Sequence, residues 1–166
     1  TTLYDANNNA KNHINPISND NILRSDNENG IEFTYSFWIC ILSLEYKQGD
    51  WKHIMHKGST TSYPNRAPGV WLHPSKNSLR VYMNTFDTVL EYTDIDDIPL
   101  KQWVCIQLVL QNMNSLDEPD QDILDLGNNH ALHIYVNGQN KKSKMFQSVP
   151  KQNNGDIHIN NYGGYD

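Results

Sequence analysis

Between Ile31 and Leu42 the chain alternates its side chains with a period of two. Phe33, Tyr35, Phe37, Ile39 and Ile41 share one parity, while Thr34, Ser36, Trp38, Cys40 and Leu42 share the other. Such alternation, rich in aromatic and β-branched residues, marks a strand, because successive side chains of a strand point to opposite faces. The second half of the run is apolar on both parities, which predicts a central strand buried on both sides. No stretch of the chain carries an apolar stripe at helical spacing over a useful length.

Further strand runs follow after short breaks rich in turn residues. They are Trp51 to Lys57, Gly69 to His73, Leu79 to Asn84, Thr88 to Tyr92, Trp103 to Gln111, Leu132 to Val136, Lys142 to Phe146 and Asp156 to Asn160. Asn137-Gly138 is a strong hairpin signal, since both positions of a two-residue turn demand positive φ. Many short strands without helical crossovers predict an all-β fold, an antiparallel two-sheet sandwich or a barrel. A chain of 166 residues makes one domain. Residues 1–21 read as an Asn-rich N-terminal arm and residues 22–166 as the β-sandwich domain. Thr1 stands where an initiator Met is absent, so the domain is expected to be part of a longer polypeptide.

Charge and composition exclude several classes. Lys and Arg number 13 against 19 Asp and Glu, a net charge of −6, the wrong sign for a nucleic-acid binder. The longest apolar run, Phe37 to Leu42, is too short to cross a bilayer, so no membrane insertion by this segment is expected. The chain holds 22 Asn yet no N-x-S/T sequon, which argues against a heavily glycosylated ectodomain. Cys40 and Cys105 lie inside apolar runs and read as buried free thiols, with a cross-strand disulfide left open. His53 and His56, like His130 and His133, stand three apart, a spacing that turns side chains to opposite faces of a regular strand. They are therefore expected to act singly rather than as metal ligands.

Six ordered segments resemble a laminin-G-like domain of the concanavalin A-like lectin/glucanase superfamily. They run from Glu32 to Ile39, Ile54 to Gly58, Pro68 to Leu72, Ile98 to Trp103, Leu132 to Gly138 and Gly155 to Ile159. Their wording is also similar to versions found in large DNA viruses of eukaryotes. The resemblance implies a jelly-roll sandwich of two antiparallel sheets, and the residues agree: Phe37, Trp38, Trp103, Ile106, Leu108 and Tyr135 are expected to supply a large share of the core. Many such domains carry one calcium ion at the rim, and the resemblance makes Asn84 and Asp87 the calcium candidates, ahead of Asp166. The acidic stretch with Asp120, Asp122 and Asp125 is a second cation candidate, although it lacks the spacing and glycine of an EF-hand. The alternative is no cofactor at all.

Because glucanases share this fold, hydrolysis must be weighed. A retaining hydrolase needs two carboxylates about 5–5.5 Å apart. Glu91 and Asp94 fall on opposite faces of any continued strand, and Asp94 and Asp96 read as a solvated turn before Pro99. The chain is therefore expected not to be an enzyme. A sugar site wants rings beside amides or charged groups, which Tyr63, Asn65 and Arg66 supply, as do Tyr162 and Tyr165. The expected function is a non-catalytic recognition module that binds a glycan or a protein surface through rim loops. The competing expectation is a structural or assembly component of a virion or cell-surface complex, in contact with neighbouring subunits. Either role favours an extracellular or virion-associated place. The isolated domain is expected to be a monomer, or a weak dimer formed at an unpaired sheet edge.

Overall fold

The computed structural model describes residues 16–22, 31–58, 66–113 and 130–160. Its strands are β1 (Phe33–Cys40), β2 (Lys52–Gly58), β3 (Arg66–Leu72), β4 (Ser78–Met83), β5 (Glu91–Asp96), β6 (Trp103–Asn112), β7 (His130–Val136), β8 (Gln139–Met145) and β9 (Ile157–Ile159). A 3-10 turn, Asn19–Asn21, precedes the strands. The strands form a four-stranded sheet, ordered β1-β6-β7-β8, and a five-stranded sheet, ordered β5-β4-β3-β2-β9. Every pairing is antiparallel. The chain is thus an all-β, two-sheet antiparallel sandwich, as its alternation predicts.

Parity decides what the layers enclose. Ile106 and Leu108 of β6 and Ile134 of β7 meet Leu79, Val81 and Met83 of β4, all fully buried. Each such side chain contributes about 1.5–3 kcal/mol relative to exposure. The Asn137-Gly138 turn joins β7 to β8 with φ of 50° and 79°, the left-handed pair that a two-residue hairpin demands.

Four expectations are corrected. β1 is not central: it ends its sheet and pairs only with β6 among the described residues. Trp38 and Trp103 are not core residues but 63% and 50% exposed. They carry the opposite parity to the buried positions of β1 and β6, and a two-layer sandwich buries only one face of each sheet. Apolar character on both parities therefore misled. Phe37 and Tyr135 are only half-buried. Cys40 and Cys105 lie on that same outer face, diagonal across the β1–β6 register, and are half-buried free thiols rather than core thiols. Finally, the strand expected at Thr88 to Tyr92 starts at Glu91 and runs through the supposed turn to Asp96. Its alternation of Glu91, Thr93 and Ile95 inward against Tyr92, Asp94 and Asp96 outward outweighs the acidic composition.

A buried ammonium fastens the edge of the five-stranded sheet. Lys57 Nζ donates to Asn19 Oδ1, to the Asn153 carbonyl and to the Gly155 carbonyl. Ile17 and Ile157 exchange two backbone hydrogen bonds of 2.8 and 2.9 Å, so the segment at residues 17–19 is stitched to β9. The rest of the predicted arm and the acidic stretch with Asp120, Asp122 and Asp125 lie outside the described residues.

Candidate functional site

The outer face of the five-stranded sheet carries rings and cations where a solvated sheet would carry small polar groups. The register arranges them in two rows. One crosses His53, Trp71, Arg80 and Asp94 on β2 to β5. The other crosses His158, His56, Gly69, Tyr82 and Tyr92, from β9 to β5. Gly69 leaves a vacancy beside Trp71, and the indole lies over it, closest to where a Cβ would stand.

The rows lock together through ring contacts. Trp71 meets Tyr82 edge-on at 5.5 Å between centroids and stacks on His56 at 5.9 Å, while His56 stacks on His158 at 4.7 Å. The Arg66 guanidinium lies 4.5 Å from the Trp71 ring centre and 4.9 Å from that of Tyr82. Arg80 lies 3.7 Å over Tyr92 and 4.8 Å over Trp51. Two parallel hydrogen bonds of 2.7 and 2.8 Å to Asp94 hold the Arg80 guanidinium flat. That pairing, ahead of all other causes, raises the Arg80 pKa and keeps the cation fixed. The inner part of the face is closed, with Trp71 at 1% exposure and His56 at 0%. Towards β5 it opens: Tyr92 is 45% exposed, and Asp94 and Arg80 are partly accessible.

The spacing argument for the histidines is corrected here. A register shift between His53 and Met55 inserts a bulge into β2, and the extra residue restores a shared face. His56 Nδ1 and His53 Nε2 are consequently 2.9 Å apart, one donating and the other accepting. His130 and His133, on the regular β7, do face opposite ways, one buried and one half-exposed beside Ser143. Buried polar atoms without a hydrogen-bond partner cluster at the closed end: Trp71 Nε1, His53 Nδ1 and His158 Nδ1.

Burial first, and then the neighbouring His56, His158 and Arg66 charges, push the His53 pKa down to about 3. In the unfolded chain this imidazole returns to its ordinary value of about 6.5. Below that value the unfolded state binds a proton that the folded state refuses, so stability falls as the pH drops from about 6.5 towards 3. Unfolding measurements across this window are expected to give a shallower pH slope for His53→Gln than for the wild type. Equal slopes would remove His53 from the acid response.

The residues singled out from sequence fare unevenly. Arg66 belongs to no exposed loop: it opens β3, is 2% exposed and lies under the aromatic face. Tyr63, Asn65, Tyr162 and Tyr165 lie outside the described residues, as does Asp166. Asn84 is buried, and its Oδ1 accepts from the Arg66 amide at 2.8 Å, while Asp87 sits exposed on the turn that follows. Among the described residues, no group of three or more His, Cys, Asp or Glu is arranged to hold a metal. Glu91 and Asp94 face opposite ways, as their spacing predicts. Glu91 points inward to the Gln147 amide at 3.1 Å and the Lys144 ammonium at 3.2 Å.

Sequence reasoning passed over Trp71, Arg80, Tyr82 and Tyr92 as site residues, and weighed Asp94 only as a catalytic carboxylate. The available signal was their parity: on β4 and β5 every outward position between Arg80 and Asp94 is an aromatic or a charged residue. The chain matches no protein-family model and no curated protein.

Proposed function

We propose that the chain is a non-catalytic recognition module of the laminin-G-like kind, binding a glycan on the outer face of its five-stranded sheet. The observation that carries this reading is Arg80, held flat by Asp94 between the rings of Trp51 and Tyr92. Rings present an apolar plane to the C–H face of a sugar, and a fixed guanidinium and carboxylate offer charge-assisted hydrogen bonds to its hydroxyls. Because the groups already hold each other in place, little side-chain freedom is lost when a ligand arrives. The resemblance of the six sequence segments to laminin-G-like domains and the two-sheet sandwich support the same reading. Hydrolysis is disfavoured, since Glu91 and Asp94 sit on opposite faces with partners of their own.

A glycan array, probed with and without calcium, tests the reading. Binding to a subset of glycans is expected under both conditions, because Asp94, the carboxylate of this site, is engaged through both oxygens by Arg80. Tyr92→Ala and Arg80→Ala should each lower that signal at least tenfold, a loss of about 1.4 kcal/mol. Tyr92 is substantially exposed, so its removal should leave thermal unfolding nearly unchanged. Silence across diverse glycans, or binding indifferent to both substitutions, would refute it.

A further inference from the structure

Three imidazoles meet at the closed end of the ring face. His53 and His56 come from β2, and His158 comes from β9. His56 is fully buried, His158 is buried, and His53 is half-buried with its Nδ1 shut off from water. Nε2 of His53 and Nδ1 of His56 share one hydrogen bond of 2.9 Å, and the His158 ring stacks on that of His56 at 4.7 Å.

This packing limits the protons the cluster can hold. One proton added to the His53–His56 pair keeps the hydrogen bond, because one of the facing nitrogens still accepts. A second sets two N–H donors against each other, and a charge on His158 lies ring-on-ring against His56. The charges that reach His53 come from His56, His158 and Arg66, all of one sign. Arg80 on β4 and Asp94 on β5 neutralise each other through two hydrogen bonds. Lys57, next to His56, turns its ammonium to Asn19, Asn153 and Gly155, while Asp156 spends an oxygen on the Asn19 amide.

β9 is the element that can yield. It has three residues at the end of its sheet, and His158 sits directly across the β2–β9 register from His56. Trp71 carries the disturbance towards the open end of the face. Its indole lies 5.2 Å from His53 and 5.5 Å from Tyr82, and Tyr82 lies 5.7 Å from Tyr92.

We infer that the three imidazoles form an acid-sensitive latch: their protonation parts β9 from β2 and loosens Trp71, and the ring face then releases its glycan. The release of glycan rests on the function proposed above, and the latch itself does not. Protons bind the open form better, so closure holds above about pH 6.5 and weakens as the pH falls towards 3. His53 alone, returned on opening to its ordinary value, favours the open form about 30-fold at pH 5.

Amide hydrogen exchange at residues 157–159, corrected for its intrinsic pH dependence, tests the latch on the protein alone. Protection there is expected to fall about tenfold or more between roughly pH 7.5 and pH 5, while β6 and β7 keep theirs. Near-UV circular dichroism from the buried indole should change over the same range. His158→Phe keeps a stacked ring that takes no proton, and His53→Gln keeps a hydrogen-bonding group towards His56. Each should shrink the acid-induced loss to about threefold or less, and either one suffices if the other fails to fold. The wild-type glycan-array signal should fall with the protection, and fall less in both variants. Protection that persists at acid pH overturns the inference, as do variants that open like the wild type or a loss shared equally by every strand. A wild type whose β9 opens while its glycan signal holds steady would sever the latch from the ring face. A wild type that opens in acid yet binds no glycan at any pH would keep the latch and refute the glycan reading.

Discussion

Replacing Gly155 by alanine should unfasten β9 from the sandwich. A Cβ at this position would stand 2.6 Å from Gly58 Cα, 2.7 Å from its carbonyl carbon and 2.8 Å from its carbonyl oxygen. These are backbone atoms of β2, and no side-chain rotation can relieve the overlap. The chain near Gly155 must therefore move away from Gly58. That movement strains the hydrogen bond of 2.9 Å from the Gly58 amide to the Asp156 carbonyl and withdraws the Gly155 carbonyl from the Lys57 ammonium. A buried ammonium stripped of an acceptor costs far more than a neutral donor would. The expected loss is about 3 kcal/mol or more, a fall in melting temperature of roughly 6–12 °C for a domain of this size. Amide exchange at residues 157–159 should accelerate ahead of the core strands. Asn154→Ala, on an exposed side chain next door, should cost no more than about 0.5 kcal/mol. Similar stabilities for the two variants would show that the edge can relax around an added methyl.

Gly69→Ala should empty the ring face while sparing the core. The added methyl would occupy the space of the Trp71 six-membered ring, and it would also stand 3.2 Å from Arg66 Cβ. The indole cannot shift within its layer, because His53, His56, Tyr82 and Arg66 surround it. It must leave the stack. Overpacking of this kind costs about 1–3 kcal/mol. Val70 and Leu72, with the opposite parity on β3, keep their places in the core. Far-UV circular dichroism should therefore persist, near-UV signals from the indole should change, and the glycan signal should vanish. Retained glycan binding with a displaced indole would locate the ligand contacts wholly at Tyr92 and Arg80.

Local pattern made most of the strands readable. Period two at Phe33–Cys40 and Trp103–Asn112, and the Asn137-Gly138 turn, announced themselves because strand geometry and left-handed turns constrain residues a few positions apart. The ring face was less readable. His53 and His56 meet only because of a bulge, and one inserted residue reverses every parity beyond it. Arg66 reads as a loop residue beside Tyr63 and Asn65, yet the rings of Trp71 and Tyr82 cover it from strands not yet placed when the sequence is read.

Trp38 and Trp103 show where the boundary lies. That the chain would build pleated layers with alternating faces follows from its own side-chain periodicity, a short-range property. Which parity would face the other sheet, and which strand would be left at an edge, follows from long-range pairing. β1 meets β6 some seventy residues later, and the register of that meeting turns both tryptophans outward. Hydrophobicity favours burying either face equally, and only closure of the second sheet over one of them breaks the tie.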